Sequence, residues 1–119
     1  MDVLKIQHHG SEHNWHHDFG KRVTANHYVF CGNGAHHNPE IAVVNAVVDS
    51  RLGPASKRST NNEVDNPFKL WFNSSSEATK ASYKKHMKKL EKRVFKLADD
   101  HPGRINFSFL KNAYFEFGV

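Results

Sequence analysis

The sequence predicts an α/β domain read in the order β-α-β-α-β-α-β-β, with helices over at least one face of the sheet. Three observations carry that expectation. Short, largely apolar runs recur at residues 3–6, 27–31, 68–72 and 105–109. Between them the apolar residues fall three and four apart, the period of a helix with one buried face. Glycine, asparagine and proline mark the changes of period.

Val3, Leu4 and Ile6 make a short buried strand, and Gln7 to His13 form a polar loop at its C-terminal end. Asn14 is the candidate cap of a first helix, whose apolar face is Trp15, Phe19 and Val23. His27-Tyr28-Val29-Phe30-Cys31 is a second strand, which runs into the turn Gly32-Asn33-Gly34-Ala35. Asn38 as N-cap and Pro39 as first helical residue then open a second helix. Its stripe is Ile41, Val44, Val48 and Leu52, widened by Val43 and Val47. Residues 53–67, rich in Pro, Ser, Asn and charge, are expected to be a long, mobile surface loop. Phe68, Leu70 and Phe72 alternate as a third strand. Ser76 is the expected cap of a long helix from about Glu77 to Ala98, with Tyr83, Met87, Leu90, Val94 and Leu97 on its apolar face. Its lysines, from Lys80 to Lys96, crowd the other faces, and His101-Pro102-Gly103 stops it. Ile105, Phe107 and Phe109 alternate as a fourth strand, and Tyr114, Phe115 and Phe117 suggest a fifth as its hairpin partner.

With 119 residues and 13.6 kDa, the chain is a single domain at the low end of comfortable core size. It carries 17 basic and 12 acidic side chains, a net charge of +5, which permits an anionic partner. No apolar run is long enough to span a bilayer and the first residues do not read as a signal peptide, so a cytoplasmic location is expected. Cys31 is the only cysteine, which excludes an internal disulfide and a cysteine-based zinc knuckle. Histidine is the informative residue: there are ten, eight of them before residue 38.

Two segments concentrate them. Asp2-Val3-Leu4-Lys5-Ile6-Gln7-His8-His9-Gly10-Ser11 and Tyr28-Val29-Phe30-Cys31-Gly32-Asn33-Gly34-Ala35-His36-His37-Asn38-Pro39 are each a strand ending in a glycine-containing loop with paired histidines. If the two strands are parallel neighbours, both pairs reach the same sheet edge, where α/β proteins build their sites. Imidazole is a good ligand for zinc and similar metals, and glycine lets the backbone approach a metal or substrate closely.

A strand followed by His-His-Gly-Ser and, about twenty residues on, by a second strand and Asn-Gly-x-His-x-Asn-Pro resembles the C-terminal half of metallo-β-lactamase-fold hydrolases. The closest group is the ComEC-like branch, with its relatives among bacterial phosphodiesterases and phosphorylcholine esterases. The resemblance covers roughly residues 2 to 52. It implies half of an αββα sandwich, about five strands and three helices, and a metal-dependent hydrolase acting on phosphoesters. It implies His9 as a ligand for zinc, or for manganese or iron. It implies His8 as the group that faces the substrate and assists at the leaving oxygen, with Ser11 and His36 beside it as catalytic residues. Asn33 and His37 would line the substrate pocket.

The chain departs from that pattern in lacking His-x-His-x-Asp-His and the family's bridging aspartate. A two-metal site needs several ligands, so these 119 residues alone are expected to be inactive. The chain also enters a strand at its second residue, as a fragment of a larger fold would. The missing N-terminal half would come from a longer polypeptide or a partner. A second copy in a homodimer could also cover the aromatic rows at 68–72 and 105–109. The alternative is a small, basic, non-enzymatic α/β module that binds an anionic partner such as nucleic acid through Lys80 to Lys96 and the 53–67 loop. A lysine-rich helix is more often a solvated outer face, and this reading leaves both histidine loops unexplained.

Overall fold

The computed structural model describes residues 2–6, 24–60 and 62–110, with His36 and Asn62 by their backbone only. Four strands lie in chain order in one parallel sheet: β1 (Val3–Ile6), β2 (His27–Phe30), β3 (Phe68–Phe72) and β4 (Ile105–Phe109). Two α-helices connect them, α1 (Ile41–Leu52) between β2 and β3, and α2 (Lys84–Asp100) between β3 and β4. The α/β class follows directly from this order. The helix expected at residues 14–23 and the strand expected at residues 114–117 lie outside the described residues.

The register aligns side chains in rows across the strands. Leu4, Tyr28, Leu70 and Phe107 form one row, and Ile6, Phe30, Phe72 and Phe109 the next. Because side chains alternate along a strand, both rows belong to one face. Phe30 stacks on Phe72 at 5.0 Å between ring centroids, and Phe72 on Phe109 at 4.4 Å. Both helices pack on this same face. Near the C-terminal end of α1, the Arg51 guanidinium lies 4.5 Å from the centre of the Phe68 ring, and Phe95 of α2 meets Phe107 at 5.1 Å. Arg93 Nε donates to Asn45 Oδ1 at 2.8 Å and joins the two helices directly. Val43, Val44, Val47 and Val48 of α1 and Met87, Leu90, Val94 and Leu97 of α2 fill the space between helices and sheet. The apolar stripe of the long helix is therefore the expected one, except that Tyr83 lies just before its first turn.

The chain's own helices thus cover Phe68, Leu70 and Phe72, while Phe107 and Phe109 are half-buried. The opposite face is mixed. It carries Val3, Lys5, His27, Val29, Lys69, Trp71, Asn106 and Ser108. There Trp71 Nε1 donates to His27 Nδ1 at 3.0 Å, and Lys69 Nζ sits 3.7 Å from the Trp71 ring centre.

Two boundaries differ from expectation for local reasons. The long helix begins at Lys84 rather than near Glu77. Ser76 does not cap it, because its hydroxyl and its N–H both donate to the Glu91 carboxylate, at 2.7 and 2.8 Å. A 3-10 turn, Ala81–Tyr83, leads into the helix instead. The N-cap of α1 is Glu40, not Asn38. Asn38 is taken up by the preceding turn: its N–H donates to the Ala35 carbonyl, its own carbonyl accepts from Gly34, and the Asn38–Pro39 bond is cis. The 53–67 segment lies largely at the surface and carries local order of its own. Ser59 is buried, its N–H donates to the Ser50 carbonyl, its hydroxyl lies 2.6 Å from that of Thr24, and Asn62–Asp65 form a 3-10 turn.

Candidate functional site

The parallel pairing of β1 with β2 sets Ile6 beside Phe30. The chain therefore leaves both strands at the same edge of the sheet. The first histidine segment follows Ile6 in sequence, and His8, His9 and Ser11 lie outside the described residues. The second segment is described and can be built up residue by residue.

Phe30 ends β2, and the chain then turns sharply twice. Gly32 and Gly34 both adopt positive φ, 145° and 99°, a region closed to most side chains. Space as well as torsion requires them. A Cβ on Gly32 would stand 2.9 Å from the Asn38 carbonyl, and one on Gly34 would stand 2.8 Å from Tyr83 Cβ. The loop is thereby folded back on itself and pressed against the turn before α2. Polar contacts hold it there: Gly32 N–H donates to Asn73 Oδ1 at 2.9 Å, and the Thr79 hydroxyl donates to the Asn33 carbonyl. Asn33 Oδ1 accepts from Ala35 N–H at 3.1 Å, so this side chain shapes the turn that leads into Ala35–His37. His36 lies within that 3-10 turn.

His37 closes the turn with φ of 59° and an exposed side chain. Its ring meets that of His86, from the first turns of α2, edge to face at 5.4 Å. His86 Nε2 lies 2.8 Å from the Pro39 carbonyl. A carbonyl only accepts, so Nε2 carries the hydrogen and Nδ1 is the nitrogen left over. Between the loop and α2 opens a depression of about 420 Å³, lined by Gly34 and His37 on one side and by Ser82, Tyr83, Lys85, His86 and Lys89 on the other.

The structure thus brings Asn33, His36 and His37 to the sheet's carboxyl edge, and adds Lys85, His86 and Lys89. The sequence offered the two lysines only as part of a lysine-rich helix, a solvated face or a surface for an anionic partner, and gave His86 no role. No spacing rule links His86 to His37, which is 49 positions earlier in the chain; only the packing of α2 against the loop does. Among the described residues no three His, Cys, Asp or Glu side chains converge as a metal would require. Cys31 is a free, half-buried thiol.

These features define a class: a parallel α/β domain with histidine-bearing loops and a cationic depression at the carboxyl edge of its sheet. No protein-family model matches the chain, and no curated protein or solved structure matches it either. No helix among the described residues is long and apolar enough to cross a membrane.

Proposed function

We propose that the chain supplies part of the site of a metal-dependent phosphoester hydrolase, of the metallo-β-lactamase type its sequence resembles. One observation carries the reading: β1 and β2 are parallel neighbours, so the histidine segments that follow them start from one edge. In this reading His9 is a metal ligand, with zinc first and manganese or iron as alternatives. The remaining ligands come from another stretch of polypeptide or from a partner chain, a second copy included. The metal would polarise the phosphoryl oxygens and lower the pKa of a bound water. His8 donates a proton to the departing oxygen, as imidazole can near neutral pH. Ser11 and His36 steady the phosphoryl group, and Asn33 and His37 hold the loop against the substrate. The structural half of that last role has support in the Asn33 hydrogen bonds to Ala35 and Thr79.

The test is hydrolysis of bis-p-nitrophenyl phosphate with added zinc or manganese. The 119-residue chain is expected to be inactive. A polypeptide that joins it to an upstream segment bearing His-x-His-x-Asp-His is expected to be active. In that polypeptide His8→Ala should lower turnover more than metal content. Equal loss of both would make His8 a ligand. No hydrolysis in the joined polypeptide would end the proposal.

A second reading, a basic non-enzymatic module for an anionic partner such as nucleic acid, is favoured by the lysines at the depression. Its mark is an affinity that falls steeply with salt, as phosphate contacts release counterions.

A further inference from the structure

We propose that the depression between the Gly34–His37 turn and the start of α2 is a phosphate-binding site, which takes the phosphate group of a small phosphoester or of a nucleic-acid strand. The proposal needs no metal and does not depend on hydrolysis.

Four observations lead to it. The first is charge. The lining carries Lys85, Lys89, His37 and His86 and no carboxylate. Neither lysine makes an ion pair among the described residues; the two ion pairs there are Lys57–Asp49 and Lys96–Asp100. The second is the placement of those charges. Lys84 and Lys85 occupy the first turn of α2, which holds no acidic residue and has no side-chain cap. A helix N-terminus carries partial positive charge, so cations there are unfavourable and a bound anion relieves them. The third is donor chemistry. Two ammonium groups, the Ser82 hydroxyl and the histidine rings are all hydrogen-bond donors suited to phosphate oxygens. The fourth is position. The depression lies between the loop that follows β2 and the start of the helix that follows β3, on the carboxyl side of the sheet.

The same chemistry argues against a metal here. A divalent cation would face two ammonium groups, and one nitrogen of His86 is already committed to Pro39. Gly34 belongs to the site for a steric reason: without a Cβ it lets the turn that carries His37 lie against Tyr83.

The experiment titrates inorganic phosphate into the full chain, isotope-labelled and treated with EDTA, and follows the ring resonances of His37 and His86. Saturable shifts of both rings are expected. Lys85→Gln and Lys89→Gln should each weaken binding about fivefold, the effect of one solvent-exposed charge-assisted contact. Both lysines are exposed, so the variants should melt with the native chain. Lys92→Gln, on the same helix but outside the depression, should bind like the native chain. Phenyl phosphate and a single-stranded oligonucleotide form the other two arms. Saturation by phenyl phosphate assigns the site to small phosphoesters, and saturation by the oligonucleotide alone assigns it to nucleic acid. If no probe shifts the two rings, or if Lys92→Gln weakens binding as much as Lys89→Gln, the depression is not a site. Because EDTA is present, that failure says nothing against the hydrolase reading, and success says nothing for it.

Discussion

Replacing Arg51 should unfasten the 62–66 turn from the body of the protein. Arg51 sits in the last turn of α1 and is 1% exposed, yet has no carboxylate partner among the described residues. Its charge is spread over backbone carbonyls instead. Nη1 donates to Ala25, Nε to Val64 at 3.2 Å, and Nη2 to Glu63 and Asn66 at 3.2 and 2.6 Å. The planar group also lies on Phe68 and within 3.4 Å of the Tyr28 hydroxyl. One side chain thus ties together the entry to β2, the end of α1 and the 3-10 turn. Arg51→Met keeps much of the volume and removes every donor. The turn carbonyls can find water if the turn opens, but the Ala25 carbonyl lies in the interior, and an orphaned buried acceptor costs about 1–3 kcal/mol. Losing the ring contact adds roughly 1–2 kcal/mol, and relief of a buried charge offsets part of the sum. A net loss of about 2–3 kcal/mol is expected, a large share of the ~5–15 kcal/mol of an ordinary domain. Urea unfolding is the assay: at a slope of about 1.5 kcal/mol/M, the midpoint should fall by about 1.3–2 M with the slope unchanged. Arg51→Lys should not rescue it, since an ammonium cannot span the fork. A midpoint for Arg51→Met equal to the native one would refute the reasoning.

Gly34→Ala should destabilise the chain by at least about 1–2 kcal/mol, the cost of a side chain at positive φ, before any clash with Tyr83; thermal melting measures it, and an unchanged midpoint would mean that the loop does not pack on α2 as described. Zinc should bind the isolated chain no more tightly than roughly micromolar, because an incomplete ligand set forfeits much of the affinity; calorimetry with the native chain and His9→Ala checks this, and a tight stoichiometric site would contradict it. Glu91→Gln should loosen the 75–79 turn by about 1 kcal/mol or somewhat more, through the weakened bonds to Ser76; faster amide exchange at Ser76 and Thr79 is the expected reading, and exchange at the native rate would show the contact to be idle.

The strands and the apolar stripes of both helices were legible because period two and steps of three and four leave a direct trace in sequence. Phe68–Phe72 and Ile105–Phe109 match expectation to the residue. Capping was less legible. Ser76 and Asn38 have the composition of helix caps, but Ser76 is engaged by Glu91, fifteen residues on, and the Asn38 backbone closes the turn that begins at Gly34. The direction in which an alternating strand turns its aromatic side is also silent in sequence. Phe68, Leu70 and Phe72 are covered because both α-helices described fall on their face, whereas Phe107 and Phe109 stay half-buried. The site divides in the same way. The paired histidines and glycines announce a loop with special torsions, whereas Lys85, His86 and Lys89 join it only through the docking of a helix far along the chain.

Paramagnetic broadening tests the central claim most directly, since that claim is that one edge gathers both histidine segments around a metal. Manganese is added in substoichiometric amount to the isotope-labelled chain, and backbone amides are compared. Gly10 and Gly34 should broaden together, both should be spared in His9→Ala, and Gly103, which precedes β4 at the other edge of the sheet, should stay sharp. Broadening of Gly10 with Gly34 unaffected would place the metal away from the second loop and contradict the account.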